Sequence, residues 1–253
     1  MKTDEMTEFD ALMLLHSEMD RQGPGDDAFT MNLISNLPDI PDLLRIADLG
    51  CGSGAASMLL ASHFNRPVLC VDTAQMFLRS LDTKAKMAGL QKLIKTQQVD
   101  MGSLDPKTHQ FDLLWSEGAA YSLTFEGAMK NWRPLLAVGG VAVVSEMSWF
   151  TTQRPPKALA FWDKAYPQMA SENANQASAK RHGFDVLFTE RLPASAWWKN
   201  YYDPLLARAK ALEKSAPKAL QSAIAETRQE ANLFREFSDF MGYTYYILRA
   251  AQS

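Results

Sequence analysis

Leu44-Arg-Ile-Ala-Asp-Leu-Gly-Cys-Gly-Ser-Gly54 is the stretch on which the fold turns. Ile46, Ala47 and Leu49 read as a short buried strand, Gly50 to Gly54 as a loop, and the run from Ala55 as a helix. Glycines at 50, 52 and 54 keep side chains off the turn. A ligand can therefore approach bare backbone, and the helix N-terminus behind it offers N–H groups. Asp48 stands two residues before the first glycine, and 22 residues after that glycine Val68-Leu-Cys-Val-Asp72 ends a second strand in another acid. In a parallel α/β sheet, a carboxylate at that strand end reaches a ribose diol.

Gly50-x-Gly52-x-x-Ala55 also satisfies the loose dinucleotide fingerprint, so glycine spacing alone does not decide the ligand. Asp48 does: an anion there repels a pyrophosphate but suits an ammonium group. Asp48-Leu-Gly-Cys-Gly-Ser-Gly54 resembles motif I of the class I S-adenosylmethionine-dependent methyltransferases. The likeness continues in Trp115-Ser-Glu-Gly-Ala119, in Trp132-Arg-x-Leu-Leu, and in Gly139-Gly-x-x-x-Val-Ser145-Glu. Arg21-Gln-Gly-Pro-Gly25 and Phe161-Trp-x-x-x-Tyr-Pro167 complete it. Together these resemble a bacterial small-molecule subgroup related to the ubiquinone/menaquinone-biosynthesis C-methyltransferase type. The resemblance implies a Rossmann-like, doubly wound α/β sheet of seven strands, order 3-2-1-4-5-7-6, with the last strand antiparallel. Ser116-Glu-Gly-Ala stands where enzymes acting on base or glutamine amino groups carry Asn/Asp-Pro-Pro-Tyr/Phe.

Composition sets the bounds. A chain of 253 residues can form one domain, read here as 1–253, with a helical extension over 1–43 and a helical cap insert over 148–182. A net charge of −3, with scattered Lys and Arg, argues against nucleic acid and anionic membrane as partners. The two cysteines, Cys51 and Cys70, make no disulfide framework or zinc spacing, which fits a reducing cytoplasm and no metal. The N-terminus is too acidic for a signal peptide, and no apolar run reaches the roughly 20 residues of a membrane span. The expected assembly is a monomer or homodimer.

Apolar periodicity predicts helices over 5–20, 27–37, 55–64 and 74–88, the last with Met76, Phe77, Leu81 and Met87 inward. Strands are expected at 68–72, 93–99, 111–116, 141–146, 183–192 and 242–249, with 205–240 as two helices broken at Ala216-Pro217. From Ser148 an aromatic, proline-punctuated segment begins, expected to hold two helices over the sheet.

Site residues follow from strand ends. Asp48 and the Gly50, Cys51, Gly52 and Gly54 backbone are expected to hold the cofactor's amino acid moiety. Arg21 either joins them or is a solvated helix-end arginine. Asp72 is assigned to the ribose, Thr73 and Met76 to its flank with the adenine, and Asp100 with Met101 to the adenine. Asp100 otherwise serves as a loop cap. Ser116 and Glu117 line the floor near the sulfonium, and Glu117 and Tyr121 are the candidate catalytic pair. Glu117 otherwise serves as the structural partner of Arg21 or of a backbone amide. Tyr121, Trp149, Trp162, Tyr166 and Tyr201 are candidate walls for a small-molecule acceptor, suited to an apolar or cationic one. A sulfonium methyl is already activated, so alignment in a desolvated pocket is the main task, and a base is needed only for a protonated acceptor. The rival readings are a nicotinamide-dependent oxidoreductase, opposed by Asp48 and by the long segment before the first strand, and a cofactor-binding protein without catalysis.

Overall fold

The computed structural model describes residues 6–38 and 44–251. The outer parts of the expected N-terminal extension, 1–5 and 39–43, lie outside the described residues. The first half of the chain runs α1 (Glu8–His16), α2 (Asp27–Ser35), β1 (Ile46–Leu49), α3 (Ala55–Phe64), β2 (Val68–Asp72), α4 (Gln75–Met87), β3 (Ile94–Gln98), β4 (Phe111–Ser116) and α5 (Phe125–Trp132). The second half adds β5 (Leu136–Trp149), α6 (Pro156–Ala165), β6 (Ala170–Ser171), α7 (Glu172–Arg181), β7 (Phe184–Arg191), α8 (Ala194–Trp197), α9 (Asp203–Leu212), α10 (Lys218–Phe237) and β8 (Met241–Ala250). Helix starts follow local chemistry. Thr7 and Asp10 form a capping box on α1, and the Asp26 side chain accepts the Phe29 N–H at 3.0 Å on α2.

The sheet order is β3-β2-β1-β4-β5-β8-β7, with two-residue β6 beside the end of β5. Neighbours from β3 to β5 are parallel, and β8 runs antiparallel to both β5 and β7. Leaving aside β6, this is the expected 3-2-1-4-5-7-6 order with its antiparallel final strand. Alternation sends Ile46, Leu113, Val143 and Ile247 into one core and Ala47, Leu114, Val144 and Leu248 into the other. Both faces are covered, which is why the central strands read as unbroken apolar runs. The order reverses between β1 and β4, and such a switch point opens a crevice at the carboxyl ends of the strands.

Three local expectations change. Strand β5 is far longer than 141–146, because Leu136 already pairs with Phe111 of β4 ahead of a register shift, and Met147 to Trp149 continue the pairing with β8. On α4 the buried face is Phe77, Leu78, Leu81 and Ala85, while Met76 and Met87 are exposed. The helical phase, not side-chain hydrophobicity, decides which residues turn inward. Of the two helices expected as a cap, only α6 overhangs the crevice; α7 packs on α5 and β7 against the flank of the sheet.

Candidate active site

The glycine loop closes on itself. Gly50, Gly52 and Gly54 all have positive φ, at 74°, 53° and 86°, which folds the loop tightly between β1 and α3. Its donors are occupied: Gly50 and Cys51 N–H go to the Val71 carbonyl at 2.8 and 3.0 Å, and Gly54 N–H to the Cys51 carbonyl at 2.9 Å. Gly52 N–H goes to Asp72 Oδ2 at 2.9 Å, and Ser53 N–H to Gln22 Oε1 at 2.8 Å. The free N–H groups expected from the sequence are therefore spent inside the protein from Gly50 to Gly54.

Carboxylates surround that loop. Asp48, 1% exposed, accepts a hydrogen bond from Ser57 Oγ at 2.5 Å. Burial pushes its pKa up to about 7 against the pull of Ser57, and Glu117 and Asp72 push the same way. Asp72 also accepts the Ala74 N–H at 2.8 Å on Oδ1, so each of its oxygens keeps a lone pair for a further donor. Asp100, exposed, caps its own turn through Gly102 N–H at 2.8 Å, while Met101 is buried beside Gly50.

Glu117 is bound on both oxygens. Oε2 lies 2.9 Å from Arg21 Nη1, and Oε1 accepts from Thr30 Oγ1 at 2.8 Å and Trp115 Nε1 at 3.0 Å. Arg21 in turn reaches Asp27 at 2.7 Å. Despite its burial, which disfavours the charge, Glu117 and Asp27 keep its guanidinium protonated. An ion pair and two further donors thus commit both of its oxygens to structural partners. Ser116 is fully buried, its Oγ tied to the Leu49 carbonyl at 2.8 Å, so it joins β4 to β1 rather than facing the cleft.

The cleft over these strand ends encloses about 1610 Å³. A single small-molecule site occupies roughly 300–1,000 Å³, so there is room for two ligands side by side. Arg21, Asp48, Gly50, Cys51, Gly52, Asp72, Thr73, Asp100, Met101 and Glu117 line it, with Phe77 in the place expected for Met76. Gly54 lies behind the loop against Leu81. Among the expected acceptor walls, Tyr121, Trp162, Tyr166 and Tyr201 line the cleft. Trp149 does not: it is 2% exposed, packed in the core with Arg154 over its ring, because the lengthened β5 carries it past the rim.

Gln22, Thr30, Glu146, Glu230 and Tyr243 were not singled out from sequence. Gln22 props the loop through Ser53, and Thr30 holds Glu117. Glu146 at the carboxyl end of β5, Glu230 of α10 and Tyr243 of β8 also face the cleft. Glu146 was legible by its position at a parallel strand end. Glu230 gave no such signal, since it lies on a long amphipathic helix that turns inward only through tertiary packing. His16 lines the rim, stacked on Tyr201, with Nε2 3.3 Å from the Tyr201 hydroxyl.

Among solved structures, the chain is similar to a SAM-dependent methyltransferase from Geobacter sulfurreducens in complex with S-adenosyl-L-homocysteine, at 18% identity and TM-score 0.79 over 94% of this chain and 96% of that one. It is similar to the E. coli protein YjhP at 18% identity and TM-score 0.78, over 95% and 99%. A SAM-dependent methyltransferase from Thiobacillus denitrificans, also in complex with S-adenosyl-L-homocysteine, aligns at 17% identity and TM-score 0.76, over 97% and 99%. These likenesses are of fold. In sequence, residues 46–140, from β1 into β5, match the family described as a methyltransferase domain, over the strands that form the cleft.

Proposed function

We propose that the protein transfers a methyl group from S-adenosylmethionine to a small-molecule acceptor. One observation carries the reading: from Gly50 to Gly54 each loop N–H already has a protein acceptor, while Asp48, Asp72 and Glu117 face the same space. A diphosphate laid on the loop would meet carboxylates and no free donor from Gly50 to Gly54; a ligand bearing an ammonium group meets complementary charge. The domain match at 46–140 and the S-adenosyl-L-homocysteine bound in two of the similar structures support it. The kinship with the ubiquinone/menaquinone-type subgroup, and a cytoplasmic setting, rest on the sequence motifs alone.

The residues fit the cofactor. Asp48 takes the ammonium group of the amino acid moiety beside the loop, and Asp72 the ribose hydroxyls. Phe77, Val99 and Met101 offer an apolar slot for the adenine, with Asp100 at its edge. Arg21 serves Glu117 and Asp27, and through them fixes the segment between α1 and α2 over the loop. Glu117 is a positioning residue in this arrangement and not a base. When bound, the cofactor supplies an activated methyl on a sulfonium. The chain's part is then to hold the acceptor in line and exclude water, and oriented groups reach effective molarities of about 10⁵ M or more.

Calorimetry with S-adenosylmethionine and with NAD tests the cofactor. Binding of S-adenosylmethionine with NAD inert is the expected result, and the reverse would sink the reading. Transfer of labelled methyl into a metabolite extract tests the chemistry.

A further inference from the structure

The two ends of the cleft differ in their charge balance. At the cofactor end the buried acid Glu117 has Arg21 as its partner. At the other end Glu146 is 2% exposed, and neither of its oxygens has a hydrogen-bond partner. The Tyr166 hydroxyl and the Met147 N–H are the donors that act on it, outside full hydrogen-bond geometry, and among the described residues no cation contributes to its balance. An isolated buried carboxylate is costly, and a fold retains one where something else comes to meet it.

The groups facing it come from each surrounding element. Tyr121 follows β4, Tyr166 ends α6, Tyr243 and Tyr246 stand on β8, and Glu230 lies on α10. Glu146 bears on all four tyrosines, and Glu230 on Tyr121 and Tyr243 as well. Tyr246 is engaged with Ser148 and Asn175 on the buried side. Of the lysines of α6 in the cleft wall, Lys157 pairs with Glu236 and Lys164 is no part of the balance at Glu146. The chamber adjoins the end of β4, because Ser145 Oγ accepts the Gly118 N–H at 2.7 Å and the Tyr243 hydroxyl lies against Gly118. Two acids, aromatic faces and no balancing cation make a site for a positive charge.

We propose, on the reading of the protein as an S-adenosylmethionine-dependent methyltransferase, that the acceptor is a small basic amine seated at this end of the cleft, and that Glu146 is its general base. The amine arrives as R–NH₃⁺ and gives one proton to the Glu146 carboxylate. The freed nitrogen lone pair then forms the N–CH₃ bond as the S–CH₃ bond breaks, and that bond's electron pair stays on sulfur. The product leaves as R–NH₂⁺–CH₃, and Glu146 returns its proton to solvent through the cleft mouth. Burial holds the Glu146 carboxyl up at about 8, so the carboxylate that accepts the proton forms as pH rises through that value, where the amine is still an ammonium ion. Tyr166 and Tyr121, with their own pKa values raised, stay protonated as donors and walls.

The test uses the full chain, wild type and Glu146→Gln, with labelled S-adenosylmethionine and a panel of primary and secondary amines. Each amine is matched with its alcohol and carboxylate analogue, and rates are followed from pH 6.5 to 10. Amines alone should be methylated. Glu146→Gln should lower kcat about 10²–10⁴-fold near pH 8.5 and move the optimum upward, towards pH values where the amine is already neutral. Calorimetric affinity for S-adenosylmethionine should stay unchanged. Transfer to alcohols or acids with amines inert, or an unchanged kcat and pH profile in Glu146→Gln, would overturn the inference while leaving the methyltransferase reading intact. Loss of cofactor binding by the wild type would remove that reading instead. Should no panel member turn over, calorimetric binding of the panel to the protein with adenosylhomocysteine decides. Amines preferred over their analogues, and weakened at least about 10-fold by Glu146→Gln, support the inference; no preference overturns it.

Discussion

The Arg21 guanidinium lies 2.9 Å from the Glu117 carboxylate, and both side chains are only 9% exposed. This pair fastens the segment between α1 and α2 to the carboxyl end of β4, and so closes one side of the cleft. Removing one partner leaves the other charge buried and unmatched. Glu117→Ala should therefore cost about 3–5 kcal/mol of unfolding free energy in urea titrations. Asp27, the other partner of Arg21, is 71% exposed, and Asp27→Ala should cost no more than about 1 kcal/mol. Equal losses in the two variants would contradict the assignment.

Asp48 makes cofactor affinity pH-dependent. Its carboxyl is held up at about 7, so acid pH leaves it neutral and without attraction for an ammonium group. The Kd for S-adenosylmethionine, measured by calorimetry, should weaken as pH falls from 8 to 6. In Asp48→Asn the affinity should be lower and this pH dependence flattened.

Stability without ligand should move the other way. Asp48 and Glu146 keep protons in the folded chain that they lose on unfolding, because an unfolded carboxyl titrates near pH ~4. The folded state therefore binds more protons, and stability falls as pH rises through about 7 for Asp48 and about 8 for Glu146. The slope reaches about 1.4 kcal/mol per pH unit for each proton released. The melting temperature should be higher at pH 6.5 than at pH 8.5, and Glu146→Gln should reduce the difference.

Asp72 has two tasks that one substitution separates from neither: it accepts Gly52 and Ala74 N–H groups, and it is assigned the ribose. Asp72→Ala should weaken S-adenosylmethionine by about 1–3 kcal/mol and also lower the melting temperature of the unligated protein. An unchanged Kd would remove Asp72 from the cofactor site.

Gly54 tests the loop itself. Its φ is +86°, and a Cβ there would lie 2.1 Å from Leu81 Cδ1. Gly89 has a similar φ of +74° with nothing within 4 Å. Gly89→Ala should show only the backbone cost, on the order of 1 kcal/mol, and Gly54→Ala clearly more. Denaturant midpoints of the two variants measure the difference.

The sequence by itself determined the sheet and the glycine-loop end of the cleft. The strands, the glycine loop and the acids Asp48 and Asp72 lie in one continuous run, and a residue at the end of a parallel strand has its place fixed by the fold's topology alone. The N-terminal and acceptor sides were decided by tertiary structure. The sequence offered Glu117 both as a base and as the partner of Arg21; the structure pairs it with Arg21 and adds Thr30 and Trp115 on its other oxygen. Trp149 looked like a pocket wall until the length of β5 carried it into the core. Glu146 and Glu230 meet the same tyrosines although 84 positions separate them, and no local pattern encodes that approach. Short-range periodicity records which way a residue points within its own element; which distant charges share a cavity depends on how whole elements pack.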